Sequence, residues 1–390
     1  MKPPKHILFI IVIAQFFCTS LWFAGNGVLI SLIAHFNLGE NSLGNITSAV
    51  QFGFIIGTLL FALLTLTDRF SPSKVFLWSA ILGAIFNLGI IWEGSGWTSI
   101  LIFRFLTGFF LAGIYPVGMK IAADYFNKGL GKSLGYLVGA LVLGTALPHF
   151  LKWLSAVFPW QYVIYTTSAL AVLGGVLMVV LVPNGPYRKP SQHLNFTACF
   201  SVFKKKDFRA AALGYFGHMW ELYTFWAFVP ILLGLHAEWQ GHNLFRVSFW
   251  SFWVIAIGGL ACVLGGYISQ RRGTKRIAAT SLFLSGICCL VSPFLLLYAS
   301  TPVFIAFLLF WGMVVIADSP LFSTMVAQSA PVEIKGTALT IVNCIGFAIT
   351  IVSLQVIAAL QDVIPTQYLF TVLALGPILG LWGLFKKRRN

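Results

Sequence analysis

Twelve apolar runs, each long enough to cross a bilayer, follow one another along this chain of 390 residues. They span about 7–35, 45–66, 74–92, 98–122, 133–151 and 161–182, then 209–234, 246–269, 277–298, 302–327, 336–360 and 366–385. A helix rises 1.5 Å per residue, so roughly twenty residues cross a hydrocarbon core about 30 Å thick. Only helices and closed barrels satisfy their backbone polar groups there. The runs therefore predict an all-α membrane protein with twelve transmembrane helices. Charge agrees: 9% of the residues are charged, against about 25% in a soluble domain. The first run is far longer than a signal-peptide core and no small-residue cleavage site follows it, so it is expected to stay as the first helix.

Lys and Arg give the orientation. With the N-terminus in the cytoplasm and the runs alternating, twenty-two of the twenty-five fall on the inner side. They include Lys2 and Lys5, Arg69 and Lys74, Lys120, Lys128 and Lys132, and a central cluster from Arg188 and Lys189 to Lys204–Lys206 and Arg209. Later come Arg271, Arg272, Lys275 and Arg276, then Lys335, then Lys386–Arg389. Lys152 and Arg246 fall outside, and Arg104 lies within a run. The bias predicts a multi-pass protein of the cytoplasmic (inner) membrane with both termini cytoplasmic. It also accounts for the formal charge of +15: these residues orient the chain and meet anionic lipid, and no nucleic-acid partner is implied.

The one long loop, 183–207, holds Pro183, Pro186 and Pro190 and then the basic cluster. It separates an N-terminal half, 1–182, from a C-terminal half, 208–390. Residues 195–207 read either as a short interfacial helix or as a solvated tether. An internal repeat supports the division. Leu66, Asp68, Arg69 and Lys74 follow the second run; Gly266, Gln270, Arg271, Gly273 and Arg276 follow the eighth, with Asp68, Arg69 and Lys74 matching Gln270, Arg271 and Arg276 at a constant offset. Two six-helix halves of the same hand are implied.

These residues resemble the major facilitator superfamily, whose signature between helices two and three reads roughly Gly-x-Leu-x-Asp-Arg-x-Gly-Arg-Arg, with a weaker copy between helices eight and nine. The first copy here has Leu64 and Ser71 in place of the glycines, and the second has Gln270 in place of the acid. Arg104 with Gly108, and Ala112-Gly113-Ile114-Tyr115-Pro116, are similar to the superfamily's fourth helix. Leu21–Asn26, Gly217–Glu221 and Ala317–Pro320 look like a bacterial subgroup of transporters of unassigned substrate. Helix five, with Gly135, Gly144 and Pro148, departs from the drug-antiporter pattern of a Gly-Pro pair followed by Gly-Gly. The resemblance implies two halves related by pseudo-two-fold symmetry, a central cavity lined by helices 1, 4, 7 and 10, and Asp68, Arg69, Lys74 and Arg271 acting as a conformational latch between helix ends.

Ionisable residues deep in the runs mark the candidate site, because a charge in hydrocarbon costs several kcal/mol, about 3 on insertion scales. Arg104 lies in the fourth run, His218 and Glu221 in the seventh and Asp318 in the tenth; the first run adds the polar Gln15 and Asn26, with Trp22. No Asp, Glu, Lys or Arg lies deep in the other eight. His218 and Glu221, three apart, share one helical face. Glu221 reads as the proton-coupling carboxylate or as one member of a structural pair with His218. Arg104 either braces helix four against helix one or holds an anionic substrate. Asp318, before Ser319-Pro320, either pins a helix break or joins the site. Trp22, Trp220, Tyr223 and Trp226 read as aromatic walls or as packing.

The six cysteines form neither a CxxC pair nor a metal spacing and read as small packing residues. There is no HExxH, GxSxG or Walker lysine loop, so no enzyme, no cofactor and no metal site are expected. Transport without a nucleotide site is secondary. The sequence therefore predicts a monomeric secondary active transporter that moves a small-molecule substrate by alternating access, coupled to protons through Glu221 and His218. The alternatives are drug or metabolite efflux by proton antiport, and a non-transporting receptor on the same fold.

Overall fold

The computed structural model of the protein describes residues 5–39, 42–126, 130–155, 157–188, 201–241, 246–331, 334–361 and 363–386, and all regular structure among them is helical. Lys2, Lys128, Lys189, Cys199, Lys387–Arg389 and the stretch 195–200 lie outside the described residues. The chain forms two compact units, Met1–His193 and Leu194–Asn390.

The first unit runs through α1 (Lys5–Thr19), α2 (Ala24–Gly27), α3 (Leu29–Phe36), α4 (Ser42–Leu63), α5 (Leu66–Arg69), α6 (Pro72–Leu88), α7 (Trp97–Leu111), α8 (Tyr115–Tyr125), α9 (Leu130–Leu154) and α10 (Gln161–Leu181). The second runs through α11 (Lys206–Trp239), α12 (Val247–Arg272), α13 (Thr274–Tyr298), α14 (Thr301–Ala317), α15 (Ser319–Ser329), α16 (Lys335–Leu360), a 3-10 turn (Thr366–Ala374) and α17 (Leu375–Phe385). Ten helical stretches among the described residues are long and apolar enough to cross a membrane. With the broken first run and the 34-residue α11, they make twelve crossing segments. Hydropathy alone passes over α11 because Asp207, Arg209, His218, Glu221, His236 and Glu238 dilute its apolar residues. The fourth and tenth runs stay among the ten, since each carries its ionisable residues in a Phe-, Leu- or Val-rich background.

Three of the runs read as continuous are broken. The first stops at Thr19 and turns through Ser20–Phe23 on short-range bonds such as Trp22 N to Thr19 O at 3.0 Å. The fourth turns through Ala112–Ile114 and the tenth at Asp318. Pro116 and Pro320 sit in the first turn of α8 and α15, where a missing N–H costs nothing but the ring blocks the preceding helix from continuing. They stand 204 positions apart.

The same offset recurs in the packing. A Cβ on Gly108 of α7 would strike the Val50 carbonyl of α4, and a Cβ on Gly312 of α14 would strike the Val254 carbonyl of α12. Val50 and Val254, like Gly108 and Gly312, are 204 apart. Without a hydrophobic force between helices in lipid, such backbone-to-backbone approach at a small residue is what holds them together. Each unit thus repeats one internal contact.

Candidate functional site

A buried acid of the second unit sits at the centre of a ring of donors. Glu221 of α11 is 1% exposed, and three donors converge on its Oε1. Trp311 Nε1 of α14 donates at 2.6 Å, Cys289 Sγ of α13 at 3.3 Å, and Ser285 Oγ, one turn earlier on α13, also donates. A hydrogen bond to a charged group contributes about 1.5–3 kcal/mol. Two such donors and a weaker thiol therefore lower the cost of keeping this acid in an apolar helix. Among the described residues Oε2 accepts no hydrogen bond, so the carboxyl group is held by one oxygen and has the other in reserve. Phe225, one turn along α11, lies against the Trp311 ring at 4.5 Å between centroids and fixes its plane.

His218 lies one turn before Glu221 on the same face, as its spacing predicts, but its charged neighbour is Asp318. Nδ1 and Asp318 Oδ1 are 2.8 Å apart, and both side chains are 1% exposed. The two atoms lie within ion-pair distance, but their approach is out of line for a hydrogen bond. Nε2 of His218 has no partner among the described residues. Of the two readings of Glu221, a structural pair with His218 is not the one seen: Asp318 sits at the α14–α15 break, where the chain changes direction, and there it reaches the imidazole.

In the first unit Arg104 is 0% exposed and forks between three acceptors. Nη2 donates to the carbonyls of Leu21 at 3.0 Å and Trp22 at 2.6 Å, and Nη1 to Asn87 Oδ1 at 3.0 Å. The break after α1 frees those carbonyls, and the guanidinium satisfies them. Asn87 in turn donates to Thr167 Oγ1 and Ser168 Oγ of α10 at 3.2 and 2.9 Å. This is the geometry of a brace between the fourth and first runs. Asn26 donates to Thr47 Oγ1 at 2.7 Å, and the buried Gln15 amide packs beneath Gly118 with neither its nitrogen nor its oxygen bonded among the described residues.

The loop with the repeated signature is tied down inside the same unit. Asp68 pairs with Lys120 at 3.1 Å. Arg188 donates to the carbonyls of Thr67, Asp68 and Phe70 at 3.0–3.2 Å. Arg69, Lys74 and Arg271 are exposed, without an ion-pair partner among the described residues. Of the aromatic candidates, Trp22 packs on Phe54 at 4.8 Å, and Tyr223 on Trp226 and Phe347 at 5.3 Å each. Trp220 donates to the Val372 carbonyl at 3.2 Å. No group of three or more His, Cys, Asp or Glu side chains that could hold a metal occurs among the described residues.

Sequence reasoning missed Trp311, Ser285, Cys289, Asn87, Lys120 and Arg188. Two signals were present. Trp311 sits mid-run, away from the membrane interfaces that tryptophan favours. Asn87 is a carboxamide inside an otherwise apolar helix.

A family model described as Major Facilitator Superfamily matches residues 11–354. The "Probable galactarate/D-glucarate transporter GarP" of Escherichia coli (strain K12) is 23% identical over 409 residues, covering 92% of this chain and 89% of that protein. A shorter match, 29% identical over 134 residues, is to a "Putative metabolite transport protein" of Haemophilus influenzae, and it spans only about a third of that protein's length. Among solved structures, the proton:xylose symporter XylE bound to 6-bromo-6-deoxy-D-glucose is similar with a TM-score of 0.76 at 16% identity, over 98% of this chain and 96% of that one. At that identity the likeness is one of fold.

Proposed function

Since the chain belongs to the Major Facilitator Superfamily, and is a multi-pass membrane transporter rather than an enzyme, we propose that it is a proton-coupled secondary transporter. It moves a small solute across the cytoplasmic membrane by alternating access, as a monomer with both termini cytoplasmic. The segment between its halves, which ends where α11 begins at Lys206, is cytoplasmic. The observation that carries the reading is the Glu221 carboxyl group, held through Oε1 by Trp311, Ser285 and Cys289 with Oε2 left open. The proton is taken up and released at Oε2, and the His218–Asp318 pair one helical turn away is the relay. An acid that is neutral when protonated and charged when not changes the cost of moving its helix past apolar surroundings, and that difference couples the proton to the motion. Asp68, paired with Lys120, latches one conformation through its loop.

A relative named for galactarate and D-glucarate makes sugar acids the first compounds to try. The test is a panel of sugar acids, neutral sugars and amino acids, added to proteoliposomes loaded with a pH dye. One compound should drive proton movement with its own flux. Transport of a compound at a rate and final level indifferent to a pH gradient would contradict proton coupling.

A further inference from the structure

A groove of about 860 Å³ opens on the second unit, where α13 begins and α17 ends. Lys275, Arg276, Thr280, Phe283, Leu381 and Phe385 line it, with no acid among its lining residues. It is charged at one end and apolar at the other. Lys275 and Arg276 are exposed and have no carboxylate partner among the described residues. Lys275 instead holds its Nζ 5.2 Å from the Phe385 ring centroid, and neighbouring Lys386 holds its own 4.3 Å from Trp382. The unspent charge is enlarged by Arg271 and Arg272 in the last turn of α12, one turn residue away. Gly273, at φ 88, makes that turn, a conformation that favours glycine.

Phe283 lies eight residues beyond Lys275 on α13, so about 12 Å farther along the axis. Phe283 is 55% exposed and Phe385 59%. A soluble anion would use the charged end and leave this floor bare. A packed helix would cover the floor and strand the charges. An amphiphile with an anionic head uses both.

The geometry points to a binding site for one anionic phospholipid, its phosphate at Lys275 and Arg276 and its first methylenes on Phe283, Leu381 and Phe385. The site lies within the second unit, shares no residue with the Glu221 cluster, and does not depend on the proposed proton coupling. Each basic residue near an anionic headgroup contributes about fivefold in affinity, so the pair contributes roughly twenty- to thirtyfold.

Native mass spectrometry of the full chain in detergent tests it. Phosphatidylglycerol and phosphatidylcholine of identical acyl chains are added separately, and glycerol phosphate is added as a soluble competitor. One phosphatidylglycerol should be retained at least tenfold better than phosphatidylcholine. Lys275→Gln/Arg276→Gln should erase that preference, while Lys204→Gln/Lys205→Gln should keep it. Phe283→Ala/Phe385→Ala should weaken both lipids together. The inference is overturned if Lys275→Gln/Arg276→Gln retains the preference, if glycerol phosphate displaces the lipid at equal concentration, or if the groove is closed by a second copy of the chain that excludes lipid.

Discussion

Trp311 Nε1 donates to Glu221 Oε1 across 2.6 Å and so joins two buried side chains ninety positions apart. The indole is held in turn by Phe225 and by Phe307, whose ring centroid lies 5.5 Å away. An acid in the middle of an apolar helix thereby gains a fixed donor that cannot turn away.

Trp311→Phe keeps the ring packing and removes the donor. Loss of a hydrogen bond to a charged group, about 1.5–3 kcal/mol, corresponds to roughly a tenfold effect or more. Accumulation driven by a pH gradient should fall about tenfold in proteoliposomes, while exchange of solute down no gradient stays within about twofold. An accumulation rate equal to wild type would separate Trp311 from the work of Glu221.

His218 and Asp318 should behave as one unit. Removing a single partner from a buried ion pair costs about 3–5 kcal/mol, because the other charge is left uncompensated. His218→Gln and Asp318→Asn should each lower the unfolding midpoint in detergent. The double variant should lose less than the two together, by more than about 1 kcal/mol. Strict additivity in that cycle would mean that the 2.8 Å contact carries no coupling.

Arg104→Lys tests the brace. A lysine offers a point charge and cannot fork across Asn87 and the two carbonyls of Leu21 and Trp22. The variant should be destabilised by about 2–3 kcal/mol, with substrate affinity in the folded fraction unchanged. A collapse of affinity at full stability would make Arg104 a substrate ligand instead.

The boundaries of the crossing segments were legible because hydrocarbon imposes a minimum length on an apolar helix; the run read as 277–298 is α13, Thr274–Tyr298. The breaks were only partly legible. Pro116 and Pro320 announce two of them, but the Ser20–Phe23 turn has no proline and depends on Arg104 arriving from another helix to take its carbonyls. The site was legible as far as charge marks it. Glu221, His218, Arg104 and Asp318 stand out because each is costly in an apolar run. Their partners stand out less: a serine and a cysteine are ordinary in membrane helices, and the mid-run Trp311 shows what it binds only when packing brings all three within 3.3 Å of one oxygen. The choice of Asp318 over Glu221 as the neighbour of His218 is set by where the α14–α15 break falls, which helical spacing within α11 cannot reveal.

Glu221→Gln is the most direct test of proton coupling. The amide keeps the volume and resembles the protonated acid, so the variant should fold, insert and exchange labelled solute across proteoliposomes with no gradient. Measured beside wild type under an imposed pH gradient, it should fail to raise the internal solute above the external level. Accumulation against the solute gradient at the wild-type proton stoichiometry would contradict the account and pass the coupling role to Asp318.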